Sequence, residues 1–348
     1  MKARCSGPRP WDALLSFKLE LTGWRWNEPL VLDPNDTIYH HLPPVTSLDL
    51  TLPDGPEIGT IDGNLIKLYI PSQFLANLQT LNLTCDWDPD SILTTLQSCT
   101  SLENLTLSFR GNLDLHFEKE TLDEQLPEDG VLLPGLRTLR LQYAMTSTIS
   151  SFLEVVNTPL LEELDVSFEM IDDGIKSTVT GFDEDILDLI DRSECDLRRL
   201  KIHMAVFSDS EELKTILESL PSLTHLLLNN TIFDLEIFRY LKCNEILPRL
   251  EVFEIFDCPT HNRTKLDILC RFFEVDVRWS SGEDMEIVEE ERPTTAMKKL
   301  YVTLREPESL DFERLEQSGV ELRRLDGMEV RFCSIPHDTW PHLVDTNY

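Results

Sequence analysis

The stretch "SLPSLTHLLLNN", Ser219 to Asn230, decides the fold because it can be read in two ways. Alone, it is a buried strand and a turn. As one copy of a recurring unit, it fixes the architecture of most of the chain, so repeats are sought before elements. Its spacing, L-x-x-L-x-L on Leu223, Leu226 and Leu228, recurs at Leu78-Leu81-Leu83, Leu102-Leu105-Leu107 and Leu136-Leu139-Leu141. It recurs again at Leu161-Leu164-Val166, Leu197-Leu200-Ile202 and Leu250-Phe253-Ile255. Weaker copies stand at Val45-Leu48-Leu50, Leu65-Leu68-Ile70, Met297-Leu300-Val302 and Leu322-Leu325, which makes about eleven units. Starts lie 24 residues apart from Leu78 to Leu102 and 27 apart from Leu223 to Leu250.

Between these strands the apolar spacing changes to three and four, the period of a helix. The segments are "DPDSILTTLQSC", "TSTISSFLEVVN", "DEDILDLIDR", "DSEELKTILESL", "DLEIFRYLKCNEIL" and "KLDILCRFFEV", several opening on Asp or Ser as a capped helix does. Pro221 and Pro248 read as stops. One short strand and one helix cannot bury their apolar faces alone, but stacked neighbours make a continuous core over a parallel sheet. Burying each such leucine is worth roughly 1.5 to 3 kcal/mol.

The pattern from Val45 to Leu325 resembles the leucine-rich repeat family, L-x-x-L-x-L-x-x-N/C-x-L. The resemblance implies an α/β leucine-rich repeat solenoid, a horseshoe with a parallel sheet on its concave face and helices on its convex face. The family's ninth position is met by Cys258 and by Thr231, whereas Asp86, Arg110, Ala144, Glu169 and Ala205 replace it elsewhere. Phrases such as "LPPVTSLDL" and "LPSLTHLLL" look like the repeat region of fungal F-box and leucine-rich-repeat proteins. Those relatives are substrate receptors of cullin-based ubiquitin ligases, in which an F-box docks a Skp1-type adaptor and the repeats hold the substrate. Before Val45 there is no Leu-Pro-x-Glu-Ile-Leu opening, so an adaptor is expected only if an F-box lies upstream. The organisation expected is a flanking or capping segment over 1–44, an irregular repeat domain over 45–330 with acidic insertions near 116–130 and 280–293, and a tail over 331–348.

Charge narrows the partners. Sixty-three acidic against 31 basic side chains in 348 residues leave a formal net of −32. Such a surface repels nucleic acid and anionic lipid, so neither is expected as a partner. It also supports a second reading, an acidic scaffold that binds basic clients such as histones. No apolar run approaches the roughly 20 residues of a membrane span. Gly7, Pro8 and Pro10 interrupt the opening residues before a signal-peptide core can form. A cytoplasmic or nuclear monomer with reduced thiols is expected, since Cys5, Cys85, Cys99, Cys195, Cys243, Cys258, Cys270 and Cys333 form no CxxC pair.

Known chemistries fit the sequence poorly. Asp86, Asp88 and Asp90 open like a calcium loop, but Ser91 stands where glycine is required and Gln97 where glutamate is, so Asp90 reads as a helix cap. Gly55, Gly59 and Gly63 lack the Lys-Ser/Thr of a phosphate loop, and His40 and His41 have no spaced co-ligands for zinc. No GxSxG or HExxH occurs. The expectation is a non-enzyme with no cofactor and no metal. Its binding residues lie between the core leucines, because alternate strand residues point to the opposite face. Early rows there are small and uncharged, Glu163 and Asp165 form an acidic row, and Arg199, Lys201 and His203 form a basic one. Those cations, with Arg140, and the outward His225, Leu227, Asn229, Val252, Phe256 and Tyr301 make a candidate patch for a protein segment carrying acidic and aromatic side chains. An equally weighted alternative is that Arg199 and Lys201 only neutralise Glu163 and Asp165 as cross-strand pairs.

Overall fold

The computed structural model describes residues 15–20, 45–52, 70–85, 89–109, 115–117, 130–171, 175–207, 209–234, 236–242, 245–259, 297–305 and 329–335. It is an α/β protein whose chain divides into two compact units, Met1–Asp173 with Asp188–Asp196 and Gly174–Leu187 with Leu197–Tyr348. The units Leu65-Leu68 and Leu322-Leu325 and the segment "KLDILCRFFEV" fall outside the described residues.

The first unit holds β1 (Ser16–Glu20), β2 (Ser47–Thr51), α1 (Ser72–Leu75), β3 (Thr80–Thr84), α2 (Pro89–Gln97), β4 (Asn104–Ser108), β5 (Val131–Leu132), β6 (Thr138–Ala144), α3 (Thr146–Val155), β7 (Val156–Asn157), β8 (Glu163–Phe168) and β9 (Met170–Ile171). Strands β1, β2, β3, β4, β6 and β8 pair in that order, all parallel. Leu48, Leu81, Leu105, Leu139 and Leu164 stand in register across five of them, with Leu50, Leu83, Leu107, Leu141 and Val166 two residues on. All ten are buried. β1, from the segment read as flanking or capping, adds Phe17 and Leu19 to the same rows.

After β10 (Ile175–Val179) and α4 (Phe182–Ser193), of which the residues from Asp188 on belong to the first unit, the second unit continues with β11 (Arg199–His203), β12 (Ala205–Phe207), α5 (Ser210–Glu218), β13 (His225–Asn229), α6 (Ile237–Lys242), β14 (Val252–Pro259), β15 (Lys299–Arg305) and β16 (Glu329–Ile335). Strands β11, β13, β14, β15 and β16 form a second parallel run. Leu200, Leu226, Phe253 and Leu300 make one buried ladder and Ile202, Leu228, Ile255 and Val302 the next. The opening stretch is therefore strand β13, one rung of a stack. β10 and β12 pair as a short parallel side sheet that the leucine spacing did not announce.

A backbone rule keeps these rows aligned. In the first unit the carbonyls of Thr46, Gln79, Glu103 and Arg137 each accept two consecutive N–H groups of the next strand's entry, at 2.8–3.1 Å. Arg198, Thr224 and Glu251 do the same in the second unit. Each accepting residue directly follows the first apolar position of its unit, so the hydrogen bond and the leucine spacing specify the same register.

The strands leave the sheet in two ways. After Thr84, Ser108 and Ser167 the next residue, Cys85, Phe109 or Phe168, turns straight into the core. After Gln142, His203 and Asn229 one extra residue intervenes with a left-handed backbone, at φ 56° for Tyr143, 59° for Met204 and 52° for Asn230. Ala144, Ala205 and Thr231, which follow them, are buried, and so is Met204 itself. The register slip between β6 and β8, which sets Ala144 opposite Phe168, is this extra residue, a bulge. Thr231 also performs the backbone service expected of a ninth position, its Oγ1 lying 3.3 Å from the Ile202 carbonyl and 3.1 Å from that of Asn229.

Helices on the other side fasten each stack. Asp90 lies in the first turn of α2 rather than at its cap position, where its charge favours the helix dipole. Leu115 and Phe117 enter the core at the start of the expected polar insertion, a difference from a wholly exposed loop. Their N–H groups are met by Thr148 Oγ1 and Ser151 Oγ at 3.1 Å, and Phe117 packs edge-on to Phe152. Arg192 on α4 donates to the carbonyls of Leu153 and Val156, the latter at 2.9 Å from Nη2, and so closes the end of α3. Burial pulls this guanidinium's pKa down, while Asp188 and Glu154 push it back up. Arg192→Met keeps the stem but strands two carbonyls, and is expected to cost about 1–3 kcal/mol in denaturant unfolding.

At the start of α5, Asp209 accepts from the Glu211 N–H at 3.0 Å and Glu212 accepts from the backbone of Asp209, a capping box. Yet Glu212 Oε2 is buried without a hydrogen-bond partner. Burial first, then the nearby Asp183 and Asp209, raise the Glu212 pKa. The folded chain thus holds this proton more tightly than the unfolded chain, and its contribution to stability falls as pH rises through the carboxylate range. Glu212→Gln is expected to raise the melting temperature at pH 7 by on the order of 1–2 °C. In melts run at successively lower pH, the advantage should vanish below about 4.5.

Candidate functional site

The outward residues of β11, β13, β14 and β15 form the richest surface among the described residues. Parallel register sets Arg199, His225, Val252 and Lys299 in one row and Lys201, Leu227, Glu254 and Tyr301 in the next. His203, Asn229 and Phe256 make a third. Nine of the ten residues expected to bind thus lie together in the second unit. Lys299 and Glu254 join them, placed there by the same alternation.

The tenth, Arg140, lies in the first unit and faces two acids. Its Nη2 is 3.3 Å from Glu163 Oε1 and its Nε 3.7 Å from Asp165 Oδ2. Glu163 is buried, so this cation offsets the charges of the acidic row on the neighbouring strand. Sequence spacing had grouped Arg140 with the basic row, but the β6–β8 pairing engages it with acids instead. Beside it, Ser108 Oγ and Gln142 Oε1 hydrogen-bond at 2.8 Å, one of the small uncharged rows.

Within the second unit two polar clasps cross the strands. His225 Nε2 meets Glu254 Oε2 at 2.7 Å, and Asn229 Nδ2 meets His203 Nδ1 at 3.1 Å. Arg199 and Lys299 are exposed, whereas Lys201, Val252, Phe256 and Tyr301 are half-buried. Leu227 departs from expectation. It occupies the outward row, yet only 8% of its surface is exposed. Lys201 and Glu254 flank it in register, and long side chains cover apolar neighbours with their methylene stems. Leu227 is therefore the floor of the face rather than a knob on it.

The face offers cations, imidazoles and aromatic edges, a composition suited to binding. Among the described residues no group of three His, Cys, Asp or Glu side chains is arranged to hold a metal ion. Asp86, Asp88, His40, His41 and the three glycines weighed for phosphate lie outside the described residues. None of Cys85, Cys99 and Cys195 is in a disulfide. Burial pushes the Cys99 thiol up to about 12, and it packs against the Thr95 carbonyl as a core group. Among the described residues no helix is long and apolar enough to cross a membrane. No known protein-family model matches the chain, and a search of curated proteins found no match.

Leu227→Ser tests the floor directly. With the side chain buried, the change is expected to cost about 1–3 kcal/mol in urea unfolding. A fully exposed leucine would show a change under about 0.5 kcal/mol.

Proposed function

We propose that the chain is a non-catalytic protein-interaction module built as a leucine-rich repeat solenoid, with its partner held on the outward face of the sheet. The observation that carries this reading is the division of labour within each strand. Inward residues repeat as an apolar ladder, while outward residues change character from strand to strand and become cationic and aromatic from β11 to β15. A surface freed from the core and varied row by row is what recognition of a polypeptide requires. The resemblance to F-box relatives extends this to the substrate-holding part of a ubiquitin ligase receptor acting in the cytoplasm or nucleus.

A second reading rests on the net charge of −32, which favours a scaffold for basic clients such as histones. The two differ in the surface used. A photo-crosslinking residue introduced at Phe256, on the outward face, is expected to give discrete adducts in extracts, and the same residue at Arg239, on α6, none. Equal adducts from both positions would remove the outward face from the mechanism. Salt-sensitive histone capture that ignores outward-face substitutions would select the scaffold reading.

A further inference from the structure

The edge strand of the first unit's sheet, β1, is built like the strands behind it. Its sequence carries the common spacing once more, as Leu14-Phe17-Leu19. The Leu15 carbonyl accepts the N–H groups of Thr46 and Ser47 at 2.9 and 3.1 Å, the double contact that aligns each later strand. Yet among the described residues β1 pairs with β2 alone. It is a full rung with nothing stacked on its far side.

Three features mark that open flank. Phe17 and Leu19 are half-buried, whereas Leu48 and Leu50, their neighbours in register, are fully buried. Leu15 is 68% exposed, at a position where the other rungs of the unit carry Thr46, Gln79, Glu103, Arg137 and Glu162. On those rungs the entering pair of N–H groups is taken by a carbonyl of the strand before. On β1 the equivalent pair belongs to Leu15 and Ser16, and no described carbonyl meets it.

We propose that β1 pairs antiparallel with β1 of a second copy of the chain, closing both sheet edges in a two-fold dimer. The dimer replaces the monomer expected from the sequence and is independent of what the outward face binds. Alternation turns the N–H and C=O groups of Ser16, Lys18 and Glu20 away from β2. Pairing centred on Lys18 sets Ser16 against Glu20 of the copy and Lys18 against Lys18, so each of these backbone groups finds a partner. The apolar side stays continuous, with Phe17 opposite Leu19 of the copy in the closer, non-hydrogen-bonded positions. On the other side two lysines meet at the axis. Each has its own Asp49 at 3.2 Å and, diagonally across, the exposed Glu20 of the copy, so acids offset the repulsion. A strand with Lys18 and Glu20 two residues apart is thus complementary to its own reverse, as a two-fold contact requires. Proteins that leave such an edge unpaired protect it, and an exposed leucine does the opposite.

Sedimentation equilibrium of the full chain tests the pairing. Each copy carries a formal net of −32, so the measurement is made in about 0.15 M salt, where charges beyond roughly 8 Å are screened. The strand is short, so monomer is expected to pass to dimer with a dissociation constant of roughly 1–100 μM. Ser16→Pro removes an outward N–H where an edge strand tolerates proline, and should abolish the dimer while leaving the melting curve in place. Lys18→Glu or Glu20→Lys alone sets like charges together and should weaken dimerisation on the order of tenfold. An equimolar mixture of those two variants should recover it, because each then faces the opposite charge. A chain still monomeric at roughly 500 μM, a dimer that Ser16→Pro leaves intact, or a mixture no stronger than its components overturns the inference. If Ser16→Pro lowers the melting temperature, the mixture alone decides.

Discussion

The structure depends on one backbone constraint, a carbonyl that receives two consecutive N–H groups from the strand that follows it in the sheet. Thr46, Gln79, Glu103 and Arg137 impose it in the first unit, and Arg198, Thr224 and Glu251 in the second. A slip of one residue would turn every leucine of a strand toward water and every polar residue toward the core. Because the constraint recurs at the same place in each unit, Leu48 through Leu164 form one ladder and Leu200 through Leu300 another. The inward side is then committed to packing, and the outward side remains free to vary.

What varies there is charge. In the first unit an arginine is set against two acids, Glu163 and Asp165, so that row carries its own counter-ion. In the second, Glu254 is met by His225, and Glu329 stands in register with Lys299. Two faces with the same backbone pattern thus present different fields to solvent.

Much of this was legible from the spacing of leucines. The two periods, two in the strands and three to four in the helices, place the inward rows and predict α2, α3, α4 and α5 closely. The rest depended on information that spacing does not carry. Leu227 alternates outward like its neighbours, yet in register between Lys201 and Glu254 it is buried. Arg192 lies in a run of charges that reads as a solvated helix face, although it closes the end of α3. Phe117 opens an acidic insertion but packs against Phe152 because Thr148 and Ser151 supply partners for the entering backbone. Asn230 is the one left-handed corner whose residue type announces it; Tyr143 and Met204 give no such sign.

Those corners make the repeating units unequal parts. Where no left-handed residue intervenes, Cys85, Phe109 or Phe168 enters the core at once, whereas behind Tyr143, Met204 and Asn230 the core position is filled by Ala144, Ala205 or Thr231. A gene duplication or deletion that exchanged one kind for the other would set a phenylalanine where the layer has room for an alanine, or leave a void in the reverse case. The stack can therefore lengthen or shorten smoothly only by whole units of matching kind. Irregular in sequence, the array still has a grammar, and its punctuation is a single left-handed residue.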